Sequence, residues 1–112
     1  MTKFLLSFPG DAMVVSAEDF PAVVADSHAV IAEAKATGVY VFGGGIDESA
    51  APMRVSADGS HSPQLYPGSH LTGGFLVLEL PDRDQAVAWA AKVAAACRCP
   101  QELREFGFDP ES

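Results

Sequence analysis

Gly73-Gly74-Phe75-Leu76-Val77-Leu78-Glu79-Leu80-Pro81-Asp82-Arg83-Asp84-Gln85 is the stretch that decides the fold. Two glycines open a run of large apolar residues and a proline closes it, which predicts a strand. Asp82 with Gln85 three residues on is a helix-capping pair, and Ala86, Trp89, Ala90, Val93 and Cys97 then mark one helical face. The same strand-then-helix order occurs at the N terminus. Lys3-Phe4-Leu5-Leu6-Ser7-Phe8 reads as a strand ended by Pro9-Gly10, with a connecting loop from Gly10 to Val15. Ser16 and Asp19 start a helix whose apolar positions are Phe20, Val23, Val24, Val30, Ile31 and Ala34, and Gly38 stops it. Pro21 falls in the first turn, where no amide donor is missed.

Between the two units, Val39-Tyr40-Val41-Phe42 predicts a strand halted by a flexible Gly43-Gly44-Gly45 turn. Asp58-Gly59 is a hairpin turn flanked by Met53-Arg54-Val55 and His61 to Leu65. Glu102 to Phe108 resembles a short last strand. The order predicts an α+β fold, a ferredoxin-like split β-α-β sandwich with an antiparallel sheet and both helices on one face. One domain over residues 1–108 and a frayed tail over 109–112 are expected.

Strand side chains alternate between faces, so a sheet with one wet face should alternate apolar with polar. Here Phe4, Leu6 and Phe8 oppose Leu5; Tyr40 and Phe42 oppose Val39 and Val41; Leu76, Leu78 and Leu80 oppose Phe75 and Val77. Both faces therefore call for cover, and two helices cover only one. At about 25 cal/mol per Å2, covering several hundred Å2 is worth several kcal/mol, a large part of the roughly 5–15 kcal/mol stability of a domain. A second copy related by a two-fold axis is the expected cover, which predicts a homodimer. A hairpin folded across the sheet is the alternative.

The 112 residues carry 7 Lys+Arg against 15 Asp+Glu, a net charge of −8 that argues against nucleic acid or anionic lipid as a partner. With 48% hydrophobic residues the chain is expected to fold, and no apolar run approaches the length of a membrane span. Met1-Thr2-Lys3-Phe4 runs straight into strand-like sequence, so no secretory signal is expected and the compartment is taken as cytoplasmic. Cys97-Arg98-Cys99 is too tight for an ordinary disulfide and too narrow for a zinc motif, so both cysteines read as small apolar residues near a helix end.

Lys3-Phe4-Leu5-Leu6, the helix ending before Gly38, Val39 to Gly45, Gly73-Gly74-Phe75 and the helix with Ala88-Trp89-Ala90 occur in the order typical of YCII-related (DGPF-type) proteins. The chain resembles that family over nearly its whole length. The resemblance implies a dimeric α+β barrel in which two sheets pack face to face. It also implies a cleft near the dimer interface where a histidine on the first helix and a nearby acid serve as an acid/base pair. Lyase- or isomerase-like chemistry on a small organic molecule would follow. His28 lies on that helix, although an ungapped count back from Gly38 places Ser27 in the family's slot. The Asp-Gly-Pro-Phe motif is absent, and Ser62-Pro63-Gln64-Leu65 occupies its position.

A dyad needs an imidazole titrating near neutrality and a carboxylate to orient it. Asp26 is two residues from His28 and points elsewhere on a helix, so Asp11, in the loop after the first strand, is the expected partner. Tyr66 and His70, in the loop before Gly73, are candidate ligand-binding residues. No histidine pair has chelating spacing, and no phosphate-binding or nucleophile-elbow motif occurs, so neither metal nor cofactor is expected. The alternative to an enzyme is a non-catalytic dimer module that binds a small molecule or docks a partner in the same cleft.

Overall fold

A computed structural model describes all 112 residues. Strand β1 (Thr2–Phe8) is followed by a single 3-10 turn (Gly10–Ala12) and helix α1 (Phe20–Ala36). Then come β2 (Tyr40–Gly45), the short β3 (Arg54–Val55) and β4 (His61–Ser62), β5 (Gly74–Leu80), helix α2 (Arg83–Cys97) and β6 (Glu102–Glu105). Four strands form one antiparallel sheet in the order β2-β5-β1-β6, and β3 pairs with β4 in a separate ribbon. Two β-α-β units interleaved in this order, with the helices packed on the sheet, make an α+β architecture compatible with a ferredoxin-like fold. No helix is long and apolar enough to cross a membrane.

The core follows from strand alternation. Phe4, Leu6 and Phe8 on β1 pair with Leu78, Leu76 and Gly74 on β5, so one face of the central strands is almost wholly large and apolar. Ala34 of α1 and Ala86, Val93 and Cys97 of α2 close over it. The capping pair forms as expected: the Asp82 carboxylate accepts the Gln85 amide at 2.9 Å. At the far end of α2, Arg98 turns left-handed (φ 62°). Its guanidinium donates to the carbonyls of Ala95 and Ala96 and reaches Asp26, in the middle of α1, at 2.8 Å, tying the end of α2 to α1. Cys97 and Cys99, on either side of this residue, are buried and free.

Three boundaries differ from the sequence expectation. The glycines 43–45 do not halt β2 but belong to it, pairing with Leu76, Phe75 and Gly74. Glycine weakens a strand, yet here the ladder to β5 supplies enough hydrogen bonds to carry the strand through. The last strand ends at Glu105: Phe106 still donates its amide to Lys3, but Phe108 is 91% exposed. The β4 segment covers only His61 and Ser62, because Gln64 turns away on a bond to the Ser62 hydroxyl.

A bulge between Tyr40 and Phe42 also changes the facing of β2. Tyr40 and Phe42 do not share a face. Tyr40 pairs with the core residue Leu78 and lies under the Lys35 ammonium of α1, whereas Phe42 pairs with Val77 on the other side. Leu5, Val77 and Phe42 therefore form a row across the helix-free face, with Phe75 beside them and the Lys3–Glu79 ion pair (3.2 Å) at its margin. The hairpin does not cover this row: β3 and β4 pack on each other rather than on the sheet, and Arg54, Val55 and His61 are exposed. Only the loop 68–72 leans over one end, beside Leu5, Ser7 and Phe75.

The molecule is a slab of 43 × 43 × 21 Å. Its accessible surface is 7638 Å2, against about 5,900 Å2 expected for a folded monomer of its 11.7 kDa.

Candidate functional site

An apolar hollow lies between the helix layer and the end of the sheet where β1 and β2 finish and β5 begins. Its volume is about 350 Å3, and it opens to solvent. Gly43, Gly45 and Gly74 explain why it exists. Alternation puts all three on the helix-facing side, where any other residue would push a side chain toward α1. The Phe8 ring occupies the space over Gly74, and Leu76 that over Gly43. Nothing comparable fills the space over Gly45.

Helix α1 supplies the polar rim. Ser27 is half-buried and His28 exposed, and both line the hollow beside Val30 and Ile31. The Ser27 hydroxyl donates to the Val24 carbonyl at 3.0 Å, which leaves its oxygen free to accept. Gln101, just past α2, donates its amide to the Cys99 carbonyl at 3.2 Å, which leaves its side-chain carbonyl as a second acceptor. His28 makes no hydrogen bond or ion pair with any protein group. Asp26, two residues before it, is committed to Arg98.

Asp11 lies elsewhere. With Glu48, His70, Thr72 and Glu102 it lines a wide polar groove at the end of β1, where the Gly10 amide donates to the Thr72 hydroxyl at 3.1 Å. Two of the residues expected to form a site, Asp11 and His70, are thus brought to one groove, while His28 lines another hollow. Tyr66 lines neither; it is 72% exposed, its ring 5.5 Å from the Arg54 guanidinium. No group of three or more histidine, cysteine or acidic side chains is arranged to hold a metal ion.

Three lining residues had little signal in the sequence. Gln101 belongs to no motif, and Gly45 read as a turn. Ser27 was visible only as the residue that an ungapped count puts in the family's histidine slot.

Cys97 also lines the apolar hollow, but its chemistry is subdued. Burial raises the thiol above its ordinary 9.0, the neighbouring Cys99 adds to this, and the Arg98 charge only partly offsets it. Cys99 is raised by burial as well. Both stay protonated near neutral pH, which argues against a thiolate nucleophile. A raised folded-state value means that the stabilisation is complete below pH 9.0 and is lost as pH climbs through the folded values. Urea melts at stepped pH should show constant stability from pH 7 to about 8.5 and a decline above pH 9 that the Cys97→Ala, Cys99→Ala double variant lacks.

Compared with known proteins, the chain matches no family model and no curated protein, so the reading of the site rests on its geometry and chemistry.

Proposed function

We propose that this chain is a YCII-like α+β domain that pairs with a second copy through its helix-free sheet face and binds a small organic molecule in the hollow beneath α1. The observation that carries the reading is His28: an uncommitted imidazole at the mouth of an apolar cavity of about 350 Å3, a volume typical of small-molecule sites. Its ring nitrogens can donate or accept a hydrogen bond. Pairing is supported by the row Leu5–Val77–Phe42 and by the surface excess. Burying roughly 1,700 Å2 on each copy would bring the surface to that of an ordinary monomer and give an interface in the range of obligate homodimers. A cytoplasmic location is proposed with this reading.

Two versions share this site. In the enzymatic one, His28 moves a proton in a lyase- or isomerase-like step with Asp11 orienting it. In the binding one, His28 only hydrogen-bonds the ligand. The lack of any carboxylate bonded to His28 favours binding, because an unoriented imidazole is a weak general base. Asp11 would have to come from a rearranged loop or from the second copy.

Phenol is a suitable first probe. Titrated into isotope-labelled protein, it should shift the amide resonances of Val30, Ile31 and Gly43 to Gly45 together and leave Asp58 and Gly59 still. The variant His28→Ala should weaken this several-fold, the worth of one hydrogen bond of about 1 kcal/mol. Cavity resonances that do not move at millimolar phenol would end the binding reading.

A further inference from the structure

Most of the glycines along the two hollows have a reason to be glycine in the folded chain itself. A Cβ on Gly74 would strike the Phe8 ring at 2.7 Å, one on Gly43 would press Leu76 at 3.2 Å, and one on Gly10 would run into the Glu48 carboxylate. Gly45 has none of these reasons. Its backbone is ordinary strand, and a Cβ there would meet only the Gly73 carbonyl oxygen at 3.6 Å, an ordinary contact. Glycine inside a strand nevertheless costs about 0.5–1 kcal/mol relative to alanine. Folding gives no return for that cost, and the space kept empty is the floor of the cavity.

The rest of the wall defines what fits. No aspartate, glutamate, lysine or arginine lines the cavity, so a charged ligand would lose its hydration without gaining a partner. Its unclaimed polar atoms are largely acceptors, the Ser27 oxygen and the Gln101 carbonyl, with His28 able to act either way. They call for a ligand that carries a hydroxyl or amine hydrogen. The volume is more than twice the roughly 150 Å3 of a cavity that takes benzene, which suits two fused rings. Bare strand backbone at Gly45 and the side chains of Val30 and Ile31 all line the cavity, so a thin ligand can lie against the glycine without meeting a Cβ.

We infer that the cavity selects a flat, uncharged molecule of about two fused rings bearing a hydroxyl or amine group, and that Gly45 is the residue that sets this specificity. This rests on the binding reading above and adds to it the chemistry of the ligand.

The test uses three probes with the same ten-carbon skeleton, measured by titration calorimetry on the intact protein. β-Naphthol is flat and neutral, decahydro-β-naphthol is puckered and neutral, and β-naphthoate is flat and anionic. β-Naphthol should bind at least about tenfold more tightly than either of the others. Gly45→Val, which puts an isopropyl group into the cavity, should weaken β-naphthol by a further tenfold or more, the usual price of a misfitting methylene or two. Gly45→Ala should fall between, and an unchanged or raised melting temperature for both variants would show that the fold is intact. Equal affinity for the puckered or the anionic probe, or full affinity in a folded Gly45→Val, overturns the specificity inference while the phenol shifts leave the binding reading standing. Failure of every probe, phenol included, takes down both.

Discussion

Replacing Gly73 with alanine should cost about 3 kcal/mol or more and lower the melting temperature by roughly 10–20 °C, as read by calorimetry or circular dichroism. Gly73 has φ 78°, a conformation that costs an L-residue roughly 1–2 kcal/mol. Its Cβ would also lie 2.7 Å from the Gly10 nitrogen and 2.9 Å from the Pro9 carbonyl carbon, and closer still to the Phe8 carbonyl oxygen. These are backbone atoms, so relief requires the end of β1 to move, an overpacking cost of typically about 1–3 kcal/mol. Such a shift also strains the bonds from Ile46 to the Gly73 carbonyl (2.8 Å) and from Gly10 to Thr72 (3.1 Å). Gly38 is the internal control. It has the same φ of 78° but nothing within 4 Å of its Cβ, so Gly38→Ala should show only the conformational cost. Equal losses at the two positions would mean that the junction of β1, β2 and β5 is far more pliable than its packing indicates.

Val77→Asp should turn a particle of twice 11.7 kDa into one of 11.7 kDa in sedimentation velocity, with a native-like far-ultraviolet spectrum. Val77 is the centre of the row, opposite Leu5 on one side and Phe42 on the other, and its side chain faces away from both helices. Within a single chain a carboxylate there is hydrated, so folding should survive. In the proposed dimer it would be buried without a partner, and the two-fold axis brings it in twice. At about 2 kcal/mol or more for each of the two symmetry-related contacts, the dimer should weaken by roughly a thousandfold. Lys3 and Glu79 at the margin already satisfy each other and contribute little at their exposure, so Lys3→Ala should leave the assembly intact. Wild-type protein that sediments at 11.7 kDa at micromolar concentration would remove the dimer, and with it any role for the second copy in supplying Asp11.

The sequence by itself determined the element order and the register of α2, and that of α1 except at Phe20, which is exposed at the helix start instead of on the buried face. Helix α2 could be read from Asp82, Gln85 and the spacing of Ala86, Val93 and Cys97 because capping and helical periodicity are local effects acting within a few residues. The core face of β1 and β5 was legible for the same reason, since alternation is a property of one strand. The apolar residues Leu5 and Val77 on the opposite face could also be read this way, before any partner strand was known.

Only the tertiary structure decided the facing of β2, the fate of the glycines and the grouping of the polar residues. The bulge between Tyr40 and Phe42 arises from pairing with β5, a neighbour more than thirty residues away, and no local pattern announces it. Gly43-Gly44-Gly45 has the local signature of a turn, yet the ladder to Leu76, Phe75 and Gly74 holds it as a strand and leaves the cavity floor bare. His28 and Asp11 both belong to elements that touch the sheet's end, but which hollow each one lines depends on how α1 and the loop after β1 are laid over that end. Positions of that kind are set by long-range packing, where the free energy comes from many distant contacts together and no short stretch of chain encodes it.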